Sequence, residues 1–162
     1  MREHRGELSG RVLTWIGDGN NVLHSIIYAG QRLEMTVRAA TPAGYEPDPS
    51  VVAAAREAGG VVELLRDPLE AVQGADFVYT DTWISMGQEA ETKDREAIFS
   101  AYQVSAELMK EAGPAALFLH CLPAKRGKEV TDEVFEWPSS VVFDQAENRL
   151  HAQKAVLLAL LA

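Results

Sequence analysis

Short apolar runs alternate with amphipathic stretches along the whole chain. Arg11-Val-Leu-Thr-Trp-Ile16, Leu33 to Ala39, Val61 to Leu65, Asp76 to Thr80, Ala116 to Leu119 and Ser140 to Phe143 read as six strands. Their nearly continuous apolar character suits burial on both faces, as in a parallel sheet. Parallel neighbours need crossovers of a dozen or more residues, usually helices. The intervening sequence supplies them. Asn20 to Gly30 carries Val22, Leu23, Ile26 and Ile27 on one helical stripe, and Ser50 to Ala58 is helical until Gly59-Gly60 closes it. Pro68 opens a short helix at a position proline tolerates. Trp83 to Gly113 is a long polar-to-helical stretch, and Glu147 to Leu161 reads as a helix whose Leu150, Val156, Leu157 and Leu160 would pack back on the domain. The expected fold class is α/β: a Rossmann-like three-layer domain with a mainly parallel sheet flanked by helices.

The 162 residues fit one domain, able to bury enough surface to fold without disulfide or metal. A single cysteine excludes an intrachain disulfide framework and any multi-cysteine zinc site. Fifteen Lys+Arg against 24 Asp+Glu give a net charge of −9, which argues against nucleic acid and anionic membrane as partners. The longest apolar run, Ala155 to Ala162, is far short of the ~20 residues a spanning helix needs. No apolar segment follows the charged start Met1-Arg2-Glu3-His4-Arg5, so a soluble, cytoplasmic protein is expected.

In an open parallel sheet, ligands sit beyond the carboxyl ends of the strands, where strand order reverses. Three loops meet that condition, and each carries chemistry-bearing side chains. The first, Gly17-Asp-Gly-Asn-Asn21, begins like a dinucleotide fingerprint but has Val22 where the third glycine belongs. One asparagine can cap the following helix, and the other offers an amide to a carboxylate or an amine. The second, Asp81-Thr-Trp-Ile-Ser-Met-Gly87, places a carboxylate at a strand end, suited either to an ammonium group or to capping. The third, His120-Cys-Leu-Pro123, has the composition of an activated thiol, although a lone cysteine is commonly an inert buried one. Nothing in the sequence places His24 or His151 near Cys121, and neither has metal-like partners, so no metal and no cofactor is expected. Pro123 permits a cis bond. Arg149, in Glu147-Asn-Arg149 at the expected start of the last helix, opposes the helix dipole and suits an anionic ligand.

Taken together, Gly17-Asp-Gly-Asn-Asn21 with His24-Ser25, Asp81-Thr-Trp-Ile-Ser-Met-Gly87, His120-Cys-Leu-Pro123 and Glu147-Asn-Arg149 resemble the second half of the ornithine carbamoyltransferases. Ser85-Met86-Gly87 resembles ornithine users rather than aspartate or putrescine carbamoyltransferases. The resemblance implies transfer of a carbamoyl group from carbamoyl phosphate to the δ-amine of L-ornithine, giving citrulline and phosphate. It implies that Asn21, Ser85 and Met86 hold the ends of ornithine, with Asp81 contacting the amino acid. Cys121 and the Leu122 backbone would face the carbamoyl group and the attacking amine, and Arg149 would contact carbamoyl phosphate. Cys121 then reads as an orienting or proton-handling group rather than a nucleophile, while His120 has no assigned role. Complete members of the family are expected to be homotrimers or larger.

The resemblance stops short of the whole enzyme. The family's carbamoyl-phosphate half carries Ser-x-Arg-Thr-Arg and His-Pro-x-Gln motifs, and neither occurs in this sequence. Residues 1–162 therefore read as the ornithine-binding domain, with the carbamoyl-phosphate-binding domain absent from this chain. Two other readings stand beside this one: a dinucleotide-binding Rossmann-like domain, and a non-catalytic amino-acid-binding module.

Overall fold

The computed structural model describes residues 1–84 and 92–161, with the side chains of residues 92 and 93 left out. A short helix α1 (Arg2–Arg5) precedes β1 (Val12–Ile16). Then follow α2 (Asn21–Arg32), β2 (Thr36–Ala40), α3 (Pro49–Glu57), β3 (Val61–Leu65), α4 (Pro68–Val72) and β4 (Phe77–Thr80). The polar-to-helical stretch becomes α5 (Thr92–Phe99), a 3₁₀ turn (Ser100–Tyr102) and α6 (Ala106–Ala112). The chain ends with β5 (Leu117–His120), α7 (Asp132–Phe135) and α8 (Val142–Leu161).

Among the described residues the strands form one five-stranded sheet, ordered β3-β2-β1-β4-β5 and parallel throughout. Period-two alternation divides the core between its faces. Leu13, Trp15, Val37, Ala39, Phe77, Tyr79, Leu117 and Leu119 pack with Leu23 and Ile27 of α2 and Val52 and Ala55 of α3. Ile16, Ala40, Val78 and Phe118 point the other way, onto α4, α6 and α7. This is the three-layer arrangement that the apolar runs demanded.

Helix starts follow local chemistry. Asn20 accepts from the N–H groups of Val22 and Leu23, and Asp48, Asp67, Ser105 and Thr131 cap α3, α4, α6 and α7 in the same way. The second strand starts at Thr36, not Leu33. Helix α2 continues to Arg32, Leu33 caps it, and Glu34 turns through φ 55° before the chain can extend.

Two expectations at the carboxyl end need correction. Ser140 to Phe143 is not a sixth strand: a single parallel bridge joins Ser140 to Phe118, and Val142 already begins α8. Nor does the last helix pack back on the domain. Its 20 residues extend ~30 Å, whereas the four-residue β5 it contacts spans only ~13 Å. Leu150, Val156, Leu157 and Leu160 accordingly stay 57–76% exposed. No described helix is long and apolar enough to cross a membrane.

Candidate active site

Strand order reverses between β1 and β4, each flanked on its other side by a neighbour, and the loops leaving these strands meet above the sheet. Asp81 follows β4 directly and is the centre of the cluster. Its Oδ1 accepts from the Cys121 thiol at 3.0 Å and from the Thr82 N–H at 2.7 Å. Its Oδ2 accepts from the Asn20 side-chain amide at 3.1 Å. Asn20 thus does two things at once: its oxygen caps α2 while its nitrogen holds Asp81. Asn21, next to it, is the first residue of α2 and stays exposed, free to face a ligand.

Burial is the main force that pushes the Cys121 thiol up, to about 12, and the Asp81 hydrogen bond and charge push the same way. A thiol held protonated by a carboxylate acceptor is a poor nucleophile and a good positioned hydrogen-bond donor. The next residue, Leu122, sits in the left-handed region at φ 56°, and the Leu122–Pro123 bond is cis. His120 underpins this turn: its Nδ1 accepts the Leu122 N–H at 2.9 Å. The ring proton therefore lies on Nε2, which faces Glu129 Oε1 at 3.3 Å. That oxygen also accepts the Lys125 N–H at 2.5 Å, and both His120 and Glu129 are fully buried. With its N–H taken by His120, the Leu122 backbone is left with its carbonyl to offer a ligand.

Asp81, His120 and Cys121 bring one potential metal-ligating atom each within 4.8 Å of one another. The arrangement does not favour a cation, because His120 Nδ1 already accepts the Leu122 N–H and its Nε2 faces Glu129 Oε1 at 3.3 Å.

Asp18, in the loop after β1, is tied to Arg95 of α5 by an ion pair. Arg95 also donates to the Trp83 carbonyl at 2.7 Å and lies 4.9 Å and 5.0 Å above the rings of Tyr45 and Phe99. One buried guanidinium thus joins the first two site loops. Desolvation raises the Asp18 carboxyl above its ordinary value, with the charge and hydrogen bond of Arg95 opposing the rise. A raised carboxylate pKa subtracts stability as pH climbs from the unfolded value through the folded one. Arg95→Met removes the opposing charge, so that window widens upward. We expect a loss of about 2 kcal/mol at pH 7.5, below the full cost of a broken buried pair because Asp18 keeps some access to water. The loss should be clearly smaller at pH 4.5. Urea titrations at both pH values test this, and equal losses would exclude the Asp18 linkage.

Other sequence-designated residues fall elsewhere. Arg149 is the eighth residue of α8, not part of its first turn, because the helix begins at Val142. It is exposed and makes no hydrogen bond or ion pair among the described residues. His24 accepts the Asp48 N–H at 3.0 Å, and His151 faces Glu147 on the surface of α8. Ser85 and Met86 lie outside the described residues. The dinucleotide reading loses its basis here. Asn20 already occupies the N–H groups of α2 that a pyrophosphate would take, and Gly19 is pressed against the next loop. A Cβ on Gly19 would stand 2.3 Å from backbone atoms of Glu46 and Pro47, leaving no approach for a phosphate.

Asn20, Asp18, Arg95 and Glu129 escaped sequence reading as site residues. The signal available for Asn20 was its capping position; for the rest, ordinary surface residue types gave no sign of burial.

Comparison with known proteins agrees with this geometry. The family model described as "Aspartate/ornithine carbamoyltransferase, Asp/Orn binding domain" matches residues 9–160. An ornithine carbamoyltransferase of Thermococcus kodakarensis is 57% identical over 159 residues, covering 96% of this chain and 50% of that protein. The structure of the Pyrococcus furiosus ornithine carbamoyltransferase superposes with a TM-score of 0.90 at 55% identity, covering 96% of this chain and 51% of that one. That of Gloeobacter violaceus gives 0.90 at 48% identity, covering 99% and 55%. The chain spans about half the length of the curated relatives it matches. With a parallel sheet of this order, an Asp81–Cys121 pair at its switch point and this match over residues 9–160, the chain belongs to the aspartate/ornithine carbamoyltransferase family, as its Asp/Orn binding domain.

Proposed function

We propose that residues 1–162 form the ornithine-binding domain of an ornithine carbamoyltransferase, working with a carbamoyl-phosphate-binding domain that this sequence does not include. The observation that carries this reading is the Cys121–Asp81–Asn20 cluster at the carboxyl ends of β5 and β4 and the start of α2. Asp81 holds the ornithine α-ammonium group, and Asn21 with Ser85 and Met86 holds the amino-acid ends. Cys121 and the Leu122 carbonyl face the δ-amine and the carbamoyl group. Arg149, on the exposed surface of α8, contacts carbamoyl phosphate where the two domains meet.

Only the neutral amine attacks, whereas a free amine near pKa ~10 is protonated in water. The desolvation that keeps the thiol neutral also favours the neutral δ-amine. Its nitrogen forms a bond to the carbamoyl carbon, the bond from that carbon to the phosphate oxygen breaks, and phosphate leaves as the amine loses a proton. No covalent enzyme intermediate is required. Positioning supplies the acceleration on this side of the cleft, and stabilisation of charge on the leaving phosphate falls mainly to the partner domain. The reading includes a cytoplasmic location and a homotrimeric or larger complete enzyme.

The test is a fusion. Placing this chain after the first half of the Thermococcus kodakarensis enzyme should give citrulline from ornithine and carbamoyl phosphate, while the chain alone gives little or none. A folded fusion without citrulline production, or comparable turnover by the chain alone, would overturn the proposal.

A further inference from the structure

The two tasks of Asn20 place unusual demands on the side chain at that position. Its Oδ1 lies 2.9 Å from the Val22 nitrogen and 3.2 Å from the Leu23 nitrogen at the start of α2. Both are backbone N–H donors, so the atom they meet is the amide oxygen, and the other end of the amide is its nitrogen. That nitrogen donates to Asp81 Oδ2 at 3.1 Å. The backbone is fixed as well. The Asn20 N–H donates to the Asp18 carbonyl at 2.8 Å, and the Asn20 carbonyl accepts the His24 N–H at 3.1 Å. Just before it, the Gly19 N–H donates to the Tyr45 carbonyl at 2.8 Å. Serine also caps helices, but its side chain is shorter and has no amide. Aspartate caps equally well and would set oxygen against oxygen at Asp81. Among the good caps, asparagine is the one that carries an N–H donor beside its capping oxygen.

We propose that Asn20 is a positioning residue for the substrate ammonium group, acting through Asp81. An ionised carboxylate offers about four lone-pair sites. The Cys121 thiol and the Thr82 N–H take the two on Oδ1, at 3.0 Å and 2.7 Å. Among the described residues Asn20 is the one donor to Oδ2, so it fills one site there and leaves one. Donors on both oxygens fix the plane of the carboxylate, and the remaining lobe then has a single direction. A ligand ammonium is received along it. Without the Asn20 arm, Oδ2 has no holder among the described residues, and the carboxylate turns more freely about its Cβ–Cγ bond. Fixing an acceptor before the ligand arrives lowers the cost of binding. Asn20 thus ties the rigid start of α2 to the direction in which Asp81 accepts.

The inference rests on the assignment of Asp81 to the ornithine α-ammonium group. In the citrulline-forming fusion, Asn20→Ser keeps a capping oxygen and removes the arm, whereas Asn20→Ala removes both. Both substitutions should raise ornithine KM about threefold or more, as expected when a hydrogen bond to a charged group is lost. An ammonium held equally in the ground and transition states is felt in KM, so kcat should stay within about twofold of the parent. Thermal melts should separate the two variants. Asn20→Ala should melt below Asn20→Ser by about 2–6 °C, because only the former loses the cap.

A residue that merely caps α2 gives a different pattern: ornithine KM like the parent's in Asn20→Ser and a raised KM in Asn20→Ala alone. That pattern, or a fall in kcat at unchanged KM, would overturn the proposal. The contact itself is read in the intact chain without turnover. In nitrogen–proton NMR spectra, the side-chain NH2 pair of Asn20 is identified by its loss in Asn20→Ser. It should shift in Asp81→Ala, and Asp81→Asn serves the same purpose if the alanine variant does not fold. An unmoved pair would overturn the link to Asp81 even if the fusion makes citrulline. A shifted pair with no citrulline from the parent fusion would overturn the reading of the site, and with it the ammonium role, while the contact between α2 and Asp81 stands.

Discussion

In the citrulline-forming fusion, Asp81→Ala should lower kcat/KM for ornithine by about 10²–10³-fold, the range expected when one partner of a desolvated charge pair is truncated. Three contacts converge on this carboxylate: the Cys121 thiol, the Asn20 amide and the Thr82 N–H. Alanine removes the acceptor of all three, so on the proposed reading the ornithine ammonium loses its counter-charge as the thiol loses its acceptor. Asp81→Asn separates these effects. It keeps an oxygen for Cys121 but has no charge, and it should raise ornithine KM nearly as much while losing less in kcat. Steady-state kinetics on both variants checks this. An Asp81→Ala fusion within threefold of the parent would remove Asp81 from the site.

The largest effect on stability should come from a residue that touches no substrate. Glu129→Ala removes the acceptor of the Lys125 N–H and the carboxylate that faces His120 Nε2 at 3.3 Å, and it opens a cavity at a fully buried position behind the Cys121 turn. A donor left without its acceptor costs about 1–3 kcal/mol, and loss of the facing carboxylate and the cavity add to it. We expect a loss of about 3–5 kcal/mol, or a Tm lowered by roughly 6–20 °C for a domain of this size. Glu129→Gln retains an acceptor and should lose far less. Thermal melts of the two variants decide the matter, and a Glu129→Ala Tm within 2 °C of the parent would exclude the pair as an anchor of the loop.

His120 shows why such roles are hard to read from residues alone. In sequence it stands beside Cys121 and has no assigned role. In the fold, its ring accepts the Leu122 N–H and faces Glu129, and it fixes a backbone turn. Glu129 lies in a run of charged residues, Lys125-Arg-Gly-Lys-Glu129, where a solvated loop is the ordinary expectation. Burial turned it into part of the core. Arg95 makes the same point: it belongs to a charged stretch and yet ends 4% exposed under two aromatic rings.

The helix α8 shows a different limit. Its apolar residues are real, and their spacing is helical, so packing against this domain was the natural expectation. Length decided otherwise, since a four-residue edge strand cannot cover a 20-residue helix. Periodicity tells which face is apolar and says nothing about what lies opposite it. Ser140 to Phe143 failed for a related reason. A short apolar run fits a strand or a buried helix start equally well by periodicity alone.

By itself the sequence determined the α/β class, the parallel sheet and the three loops that bear the chemistry. These follow from local rules: apolar runs of strand length, helical periodicity, capping residues and the need for crossovers between parallel strands. Tertiary structure alone decided which polar groups face one another. Tyr79 and Gln145 are 66 positions apart, Asp18 and Arg95 77, and Asp81 and Cys121 40. Contacts across such separations are set by strand order and register, not by anything local to either residue. They determine whether a given carboxylate, thiol or imidazole meets water, a backbone turn or a substrate.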